Sequence, residues 1–145
     1  MGCHIDTTKL EQQFYQTNKS MRDLILLDNQ LTVSLFCNPA YVTQVSPATT
    51  KLRVITNGGE FQAQQKARAK HIDHGVWFDT KVVTNILSFA EIEDKYKVMY
   101  PRQNRAFTVK LPNVTMVFCR NNISLYVWNP VEDKVAAGFV DTVEH

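Results

Sequence analysis

Glycine and proline are scarce, 5 of each in 145 residues, which excludes collagen-like and low-complexity architectures. Cysteine is scarcer still. Cys3, Cys37 and Cys119 are odd in number and widely spaced, so they do not form a secreted disulfide framework and read as isolated thiols in a reducing compartment. Charge of one sign is also missing. The 16 basic and 14 acidic side chains leave a formal net charge of +2, too balanced for long-range attraction to nucleic acid or a membrane surface. No apolar run approaches the roughly 18 residues of a membrane span. Residues 1–10 are polar and no apolar stretch of signal-peptide type follows them, so the expected compartment is the cytoplasm.

What is present is an ordinary folded composition, 44% hydrophobic and 21% charged, enough for one domain around one core. Residues 1–22 are polar with few apolar anchors and receive no assignment beyond an arm or linker. Leu24-Ile25-Leu26-Leu27 is a continuous apolar run of strand length, the pattern of a strand buried on both faces. It stops at Asp28-Asn29-Gln30. A mixed segment over 31–45 is broken at Asn38-Pro39, and 52–56 reads as a strand. Asn57-Gly58-Gly59 then signals a hairpin turn, because glycine supplies the positive φ that such turns require. Lys66, Arg68 and Lys70 alternate with Ala67 and Ala69, which suits the return arm of that hairpin.

Gly75-Val76-Trp77-Phe78 is a further strand. The apolar residues Ile86, Leu87, Phe89, Ala90 and Ile92 predict a helix over 84–95, with Thr84 as its cap. Four short β-branched or aromatic segments follow, at 96–100, 106–111, 114–119 and 125–128, separated by Asn-, Pro- or Arg-rich turns. Neither a repeat nor a low-complexity tract is visible. Short strands around one helix predict a mostly β barrel or sandwich.

Asp28 is the most informative position. A carboxylate directly after an apolar strand can be held by a tight turn over a cleft. Aspartic proteases use two such carboxylates that share one proton, so that one acts as base and the other as acid toward water. A small chain with one such motif needs a second copy across a two-fold axis. Other chemistries have weaker signals. Cys3, His4, His71 and His74 lack a Cys-x-x-Cys partner at zinc-ligand spacing, so the histidines read as solvated. The basic stripe Lys66, Arg68, Lys70 and His71 lacks interleaved stacking aromatics and reads as a solvated strand face rather than a nucleic-acid contact. Trp77 and Trp128 read as core. No phosphate-binding glycine loop, dinucleotide fingerprint or Ser-His-Asp setting appears, and no cofactor is expected.

Leu26-Leu27-Asp28-Asn29-Gln30-Leu31-Thr32-Val33 resembles the aspartic protease motif of copia-type retrotransposon polyproteins. It is most similar to divergent copia-like elements with Gln in the active-site turn. Later blocks occur in the same order. Gly75-Val76-Trp77-Phe78-Asp79 resembles the strand before the protease's last helix. Asn85-Ile86-Leu87-Ser88, then Lys95-Tyr96-Lys97-Val98, resembles its Asn-Leu-Leu-Ser helix and following strand. Leu125-Tyr126-Val127-Trp128 resembles the element that opens the pre-integrase region, with Phe139-Val140-Asp141-Thr142-Val143-Glu144 as its continuation.

The resemblance implies a mostly β, retropepsin-like closed barrel with one short helix over residues 23–111, and a β extension over 112–145. It implies an aspartic-type endopeptidase that acts on a polypeptide as a homodimer, with Asp28 catalytic and Asn29 and Gln30 in the active-site turn. No metal and no membrane are implied. Asn29 stands where the family has a bracing Ser or Thr, and Gln30 where it has Gly, whose missing Cβ leaves room for substrate and water. Leu31 replaces a small residue. Val82-Val83-Thr84 departs from the apolar-apolar-Gly support of the catalytic loop. These departures define the alternative, an inactive or domesticated β scaffold for binding or assembly. The zinc knuckle that precedes the protease in such polyproteins is absent from the sequence. Elemental analysis of protein purified without chelators should therefore find no stoichiometric zinc; one tightly held ion per chain would overturn the reading of the histidines.

Overall fold

The computed structural model of the chain describes residues 3–8, 21–56, 59–100, 106–112, 114–120 and 125–130. Asn57 and Gly58 of the expected turn, residues 9–20 of the expected arm and the continuation at 139–144 lie outside the described residues, as do the side chains of Cys3 and His4.

Among the described residues eleven strands form one mixed sheet. They are β1 (Cys3–Asp6), β2 (Ile25–Asp28), β3 (Leu35–Phe36), β4 (Val42–Thr56), β5 (Gly59–Ala69) and β6 (His74–Phe78). After them come β7 (Asn85–Ser88), helix α1 (Phe89–Lys95), β8 (Lys97–Met99), β9 (Ala106–Lys110), β10 (Thr115–Arg120) and β11 (Tyr126–Trp128). The order across the sheet is β1-β4-β5-β6-β3-β7-β2-β11-β10-β9-β8. The described residues are therefore mostly β, with one short α-helix lying wholly among them. The last strands extend the same sheet, because β11 pairs antiparallel with β2.

The apolar run before Asp28 becomes an interior strand, between β7 and β11. Its side chains alternate between cores, as a two-faced strand requires. Ile25 and Leu27 join the largest cluster, with Phe36, Leu87 and Phe118, while Leu26 packs with Met21 and Ile86 on the other side. The basic alternation on β5 is likewise a strand period, with Ala63, Ala67 and Ala69 buried and Lys66 exposed. The β4–β5 hairpin closes at the Thr56–Gly59 pair, and Gly59 has a φ of 124°, a conformation that favours glycine.

Two expectations are corrected. The helix starts at Phe89, not at residue 84. Ile86 and Leu87 are spent on opposite faces of β7, and a strand can bury both where a short surface helix could not. Ser88 caps the helix, its hydroxyl accepting the Glu91 N–H. Thr84 instead donates its hydroxyl to the carbonyls of Met21 and Leu24. Ile92 is the buried residue of the helix, whereas Ala90 is exposed. Within the unassigned N-terminal segment, β1 docks parallel on β4 and buries Ile5 against Leu35, Leu52 and Trp77.

The centre of the sheet also holds a repeat that the sequence does not show. Strands β6-β3-β7-β2 read the same under a two-fold exchange that takes β2 and β3 into β6 and β7. Leu26 pairs with Ile86 and Leu27 with Leu87 in parallel. At the constant offset that separates Asp28 from Asp79, Trp77 pairs with Leu35 and Phe78 with Phe36, again in parallel. The antiparallel Leu35–Ile86 pair lies on the axis. Even the turns match. Asp28 accepts the Gln30 N–H and Asp79 accepts the Lys81 N–H through Oδ1.

Asn85 fastens this unit. Its side chain is fully buried, yet all four hydrogen-bonding positions of the amide are used. Oδ1 accepts from the backbone N–H groups of Cys37 and Asn38, each at 3.0 Å. Nδ2 donates to the carbonyls of Arg22 at 2.8 Å and Leu24 at 2.9 Å. Asn85→Ala leaves those groups without their partner and should cost at least about 3 kcal/mol. Asn85→Asp keeps the acceptors, but sets a carboxylate against two carbonyl oxygens and should also be strongly destabilised at neutral pH. Urea unfolding followed by Trp77 and Trp128 fluorescence measures both, and a wild-type midpoint in either variant would refute the role given to this amide.

Candidate active site

Asp28 is the last residue of β2 and lies in register with Ser88, the last residue of the parallel strand β7. The connection over 29–34 then passes across the end of β7 and descends on its far side as β3, so β7 is held between the two strands that flank the turn. The Asp28 side chain organises the near end of this loop. Its Oδ1 accepts the N–H of Gln30 at 2.7 Å and of Leu31 at 3.3 Å. Short polar side chains favour such turns because they replace a backbone acceptor. Oδ2 makes no hydrogen bond among the described residues. Asp28 is half-buried, and Asn29 and Gln30 are exposed.

Ser88 secures the far end. Its hydroxyl donates to the Leu31 carbonyl at 2.8 Å, and its N–H donates to Ser34 Oγ at 3.0 Å. Ser34 in turn donates its hydroxyl hydrogen to Glu91 Oε1 at 2.7 Å. His74 Nε2 reaches the same oxygen at 3.3 Å. Four segments thus meet in one polar chain: the Asp28 loop, the end of β7, the first turn of α1 and the start of β6. Burial works against the charge on Glu91, but the hydrogen bonds from His74 and Ser34 outweigh it and hold the carboxyl below its ordinary range.

The residues expected in the turn are therefore brought together, while Ser34, Ser88, Glu91 and His74 were missed as partners of the turn. His74 is not solvated. Its side chain is only 13% exposed. Nor does His71 stand free, since its ring packs edge-on against Tyr41 and Trp128, with centroids 5.7 Å and 5.2 Å away. The support beside the Asp28 loop is Ile86-Leu87-Ser88, apolar-apolar-Ser, rather than Val82-Val83-Thr84.

The other candidates have structural partners. Arg68 pairs with Asp73 at 2.8 Å, and Lys66 lies over Trp77 at 4.6 Å from the ring centroid. Cys37 is buried, which pushes its thiol up to about 11 and suppresses the nucleophilic thiolate. Tyr41 donates its hydroxyl to the Asp23 carbonyl. Burial first, then the Asp23 charge, pushes the phenol up to about 12. Among the described residues no group of three or more His, Cys, Asp or Glu side chains could hold a metal ion, and no helix is long and apolar enough to cross a membrane.

Chemically, the turn presents one half-buried carboxylate oriented through Oδ1, and an acid–base pair of carboxylates would need a second. Asp79 does not complete it within the chain, because the two-fold relation puts it at the opposite end of the four-strand unit. Comparison with family models, characterised proteins and solved structures finds no match.

The Glu91 network sets a pH dependence. A carboxyl held below its ordinary value of 4.5 stabilises the fold above that value, and the contribution disappears as pH falls through the folded value. The wild-type urea midpoint should therefore decline on acidification below about pH 5, and Glu91→Gln should decline less over the same interval. Parallel declines would show that Glu91 carries no such linkage.

Proposed function

We propose that the chain is an aspartic-type endopeptidase-like domain of a copia-type retrotransposon polyprotein, acting in the cytoplasm on a polypeptide substrate. In this reading residues 23–111 are the retropepsin-like unit, closed as a barrel, and 112–145 begin the next region of the polyprotein. Asp28 is the catalytic carboxylate, and a second copy supplies its counterpart across a homodimer axis.

The observation that carries the proposal is the setting of Asp28. It ends an interior strand, its carboxylate orders its own turn, and the turn straddles a buried strand that ends in Ser88. A catalytic carboxylate needs this kind of preorganisation. Among the described residues the non-glycine positions with positive φ are Gln44 and Asp73, so the backbone conformation at Gln30 does not itself require glycine; the Cβ that the family's Gly lacks is the remaining departure. Two Asp28 carboxylates brought close across an axis could not both ionise. One would be raised, and cleavage should then be fastest at acidic to mildly acidic pH.

A second reading is favoured by one observation. Asn29 and Gln30 project into solvent from the turn, and Gln30 brings a side chain to the place where water must approach. In that reading the same fold serves binding or assembly without cleavage.

Asp28→Asn separates the two. The amide oxygen can still accept the Gln30 and Leu31 N–H groups, so the fold should survive while the charge is lost. Incubation of a polypeptide spanning the chain's own flanks, across a pH series, should show cleavage by wild type and a loss of about a hundredfold or more in the variant. Sedimentation must show a dimer in both. A dimeric wild type that cleaves at no pH would establish the scaffold reading instead.

A further inference from the structure

The Asp28 loop is fixed at three points, and a carboxylate serves at two of them. Asp28 Oδ1 holds the Gln30 and Leu31 N–H groups, Ser88 holds the Leu31 carbonyl, and Ser34 at the end of the loop is tied to Glu91. The direction of these bonds follows from the chemistry of each group. An ionised Glu91 can only accept, so the Ser34 hydroxyl must point its hydrogen at Oε1. That leaves the Ser34 oxygen free to accept the Ser88 N–H. Ser88, fully buried, then directs its own hydroxyl hydrogen to the Leu31 carbonyl and accepts the Glu91 N–H in return. Leu31 is thereby gripped on both sides, by Ser88 at its carbonyl and by Asp28 at its N–H. His74 Nε2 steadies the Glu91 oxygen from the start of β6.

We infer that Glu91 is a positioning residue: through Ser34 and Ser88 it fixes the loop that presents the Asp28 carboxylate. Its bearing on catalysis rests on the endopeptidase reading, but its effect on the loop does not. The equivalent turn across the internal two-fold is held differently. There Lys81 Nζ sits 3.2 Å from the Asp79 carboxylate and Arg22 donates to the Thr80 and Cys37 carbonyls, so cations hold that turn, whereas the Asp28 turn is held through hydroxyls from a helix.

The test uses amide hydrogen exchange by NMR on the full chain, comparing wild type, Glu91→Ala, Glu91→Gln and Val109→Ala. The last truncates a core cluster against which neither Leu31 nor Val33 of the loop packs and serves as the control for global stability. In Glu91→Ala the amides of Gln30, Leu31 and Ser88 should exchange at least about tenfold faster than in wild type, beyond any change at Val54 and Ala63 in the hairpin. Glu91→Gln keeps an acceptor oxygen and should restore most of the protection, whereas Val109→Ala should not single out the loop. A uniform acceleration in Glu91→Ala, or a Gln variant as loose as the Ala variant, overturns the inference.

Cleavage of the flanking polypeptide adds a second readout. With Glu91→Ala, kcat should fall at least about tenfold while KM changes little. Cleavage with unchanged kcat overturns the positioning role and leaves the endopeptidase reading intact. The local exchange pattern in a dimeric chain that cleaves nothing upholds the positioning role and overturns the endopeptidase reading.

Discussion

The carboxamide of Asn85 binds two stretches of backbone that lie 47 to 63 residues before it, and the centre of the sheet is arranged around that contact. It lies on a buried strand and is itself fully buried. Its oxygen holds the chain just after β3, and its nitrogen holds the chain just before β2. Thr84, the residue before it, adds its hydroxyl to the same carbonyl-rich segment. Unpaired polar groups in such a place would oppose folding, whereas a fully satisfied set makes one arrangement much better than its neighbours. A one-residue slip of β7 would break these bonds and send Ile86 and Leu87 to the wrong faces. Register, and therefore the alignment of Ser88 with Asp28, is fixed by polar accounting as much as by apolar packing.

How much of this can be read from sequence depends on how far each signal reaches. β2, the β4–β5 hairpin, β6 and the final strands follow from local runs and alternation, and their positions agree with the expectation within a few residues except at β4, which begins at Val42 and not at Leu52. Residues 84–88 were misread because Ile86, Leu87, Phe89, Ala90 and Ile92 satisfy a helical spacing well enough to hide a strand that ends at Ser88. β1 carries little local signal, as Ile5 is its one described buried apolar side chain. The internal two-fold escaped because the equivalent stretches Asp28–Phe36 and Asp79–Leu87 share little beyond the aspartate and a few apolar positions. The Ser34–Glu91 bond, between residues 57 apart in the chain, has no local signature. Asp28 was visible because its chemistry is local, and its supports were invisible because theirs is not.

The two aspartate turns show how one backbone solution can be put to different uses. Both follow an apolar strand, and both accept the amide two residues on. They differ in what stands behind and beside them. At Asp79 a lysine of the same turn approaches the carboxylate, while at Asp28 the support comes through hydroxyls and backbone from α1. Only the second arrangement leaves a carboxylate oxygen without a cation at its side among the described residues. Identical turn geometry therefore does not imply identical reactivity; the neighbours decide it.

The parallel pairing of β2 with β7 also places the site in time. An antiparallel hairpin such as β4–β5 can close as soon as its second arm exists. β2 must wait for a strand that arrives some 61 residues later, the separation of Leu24 and Asn85, and loop closure over that distance is slow. Until β7 slides between β2 and β3, Leu31 has no Ser88 hydroxyl to hold it and Ser34 has no Glu91. The contacts of the Asp28 turn are therefore complete only when β7 and the helix that follows it are in place, whereas the hairpin's own ladder needs nothing beyond its two arms.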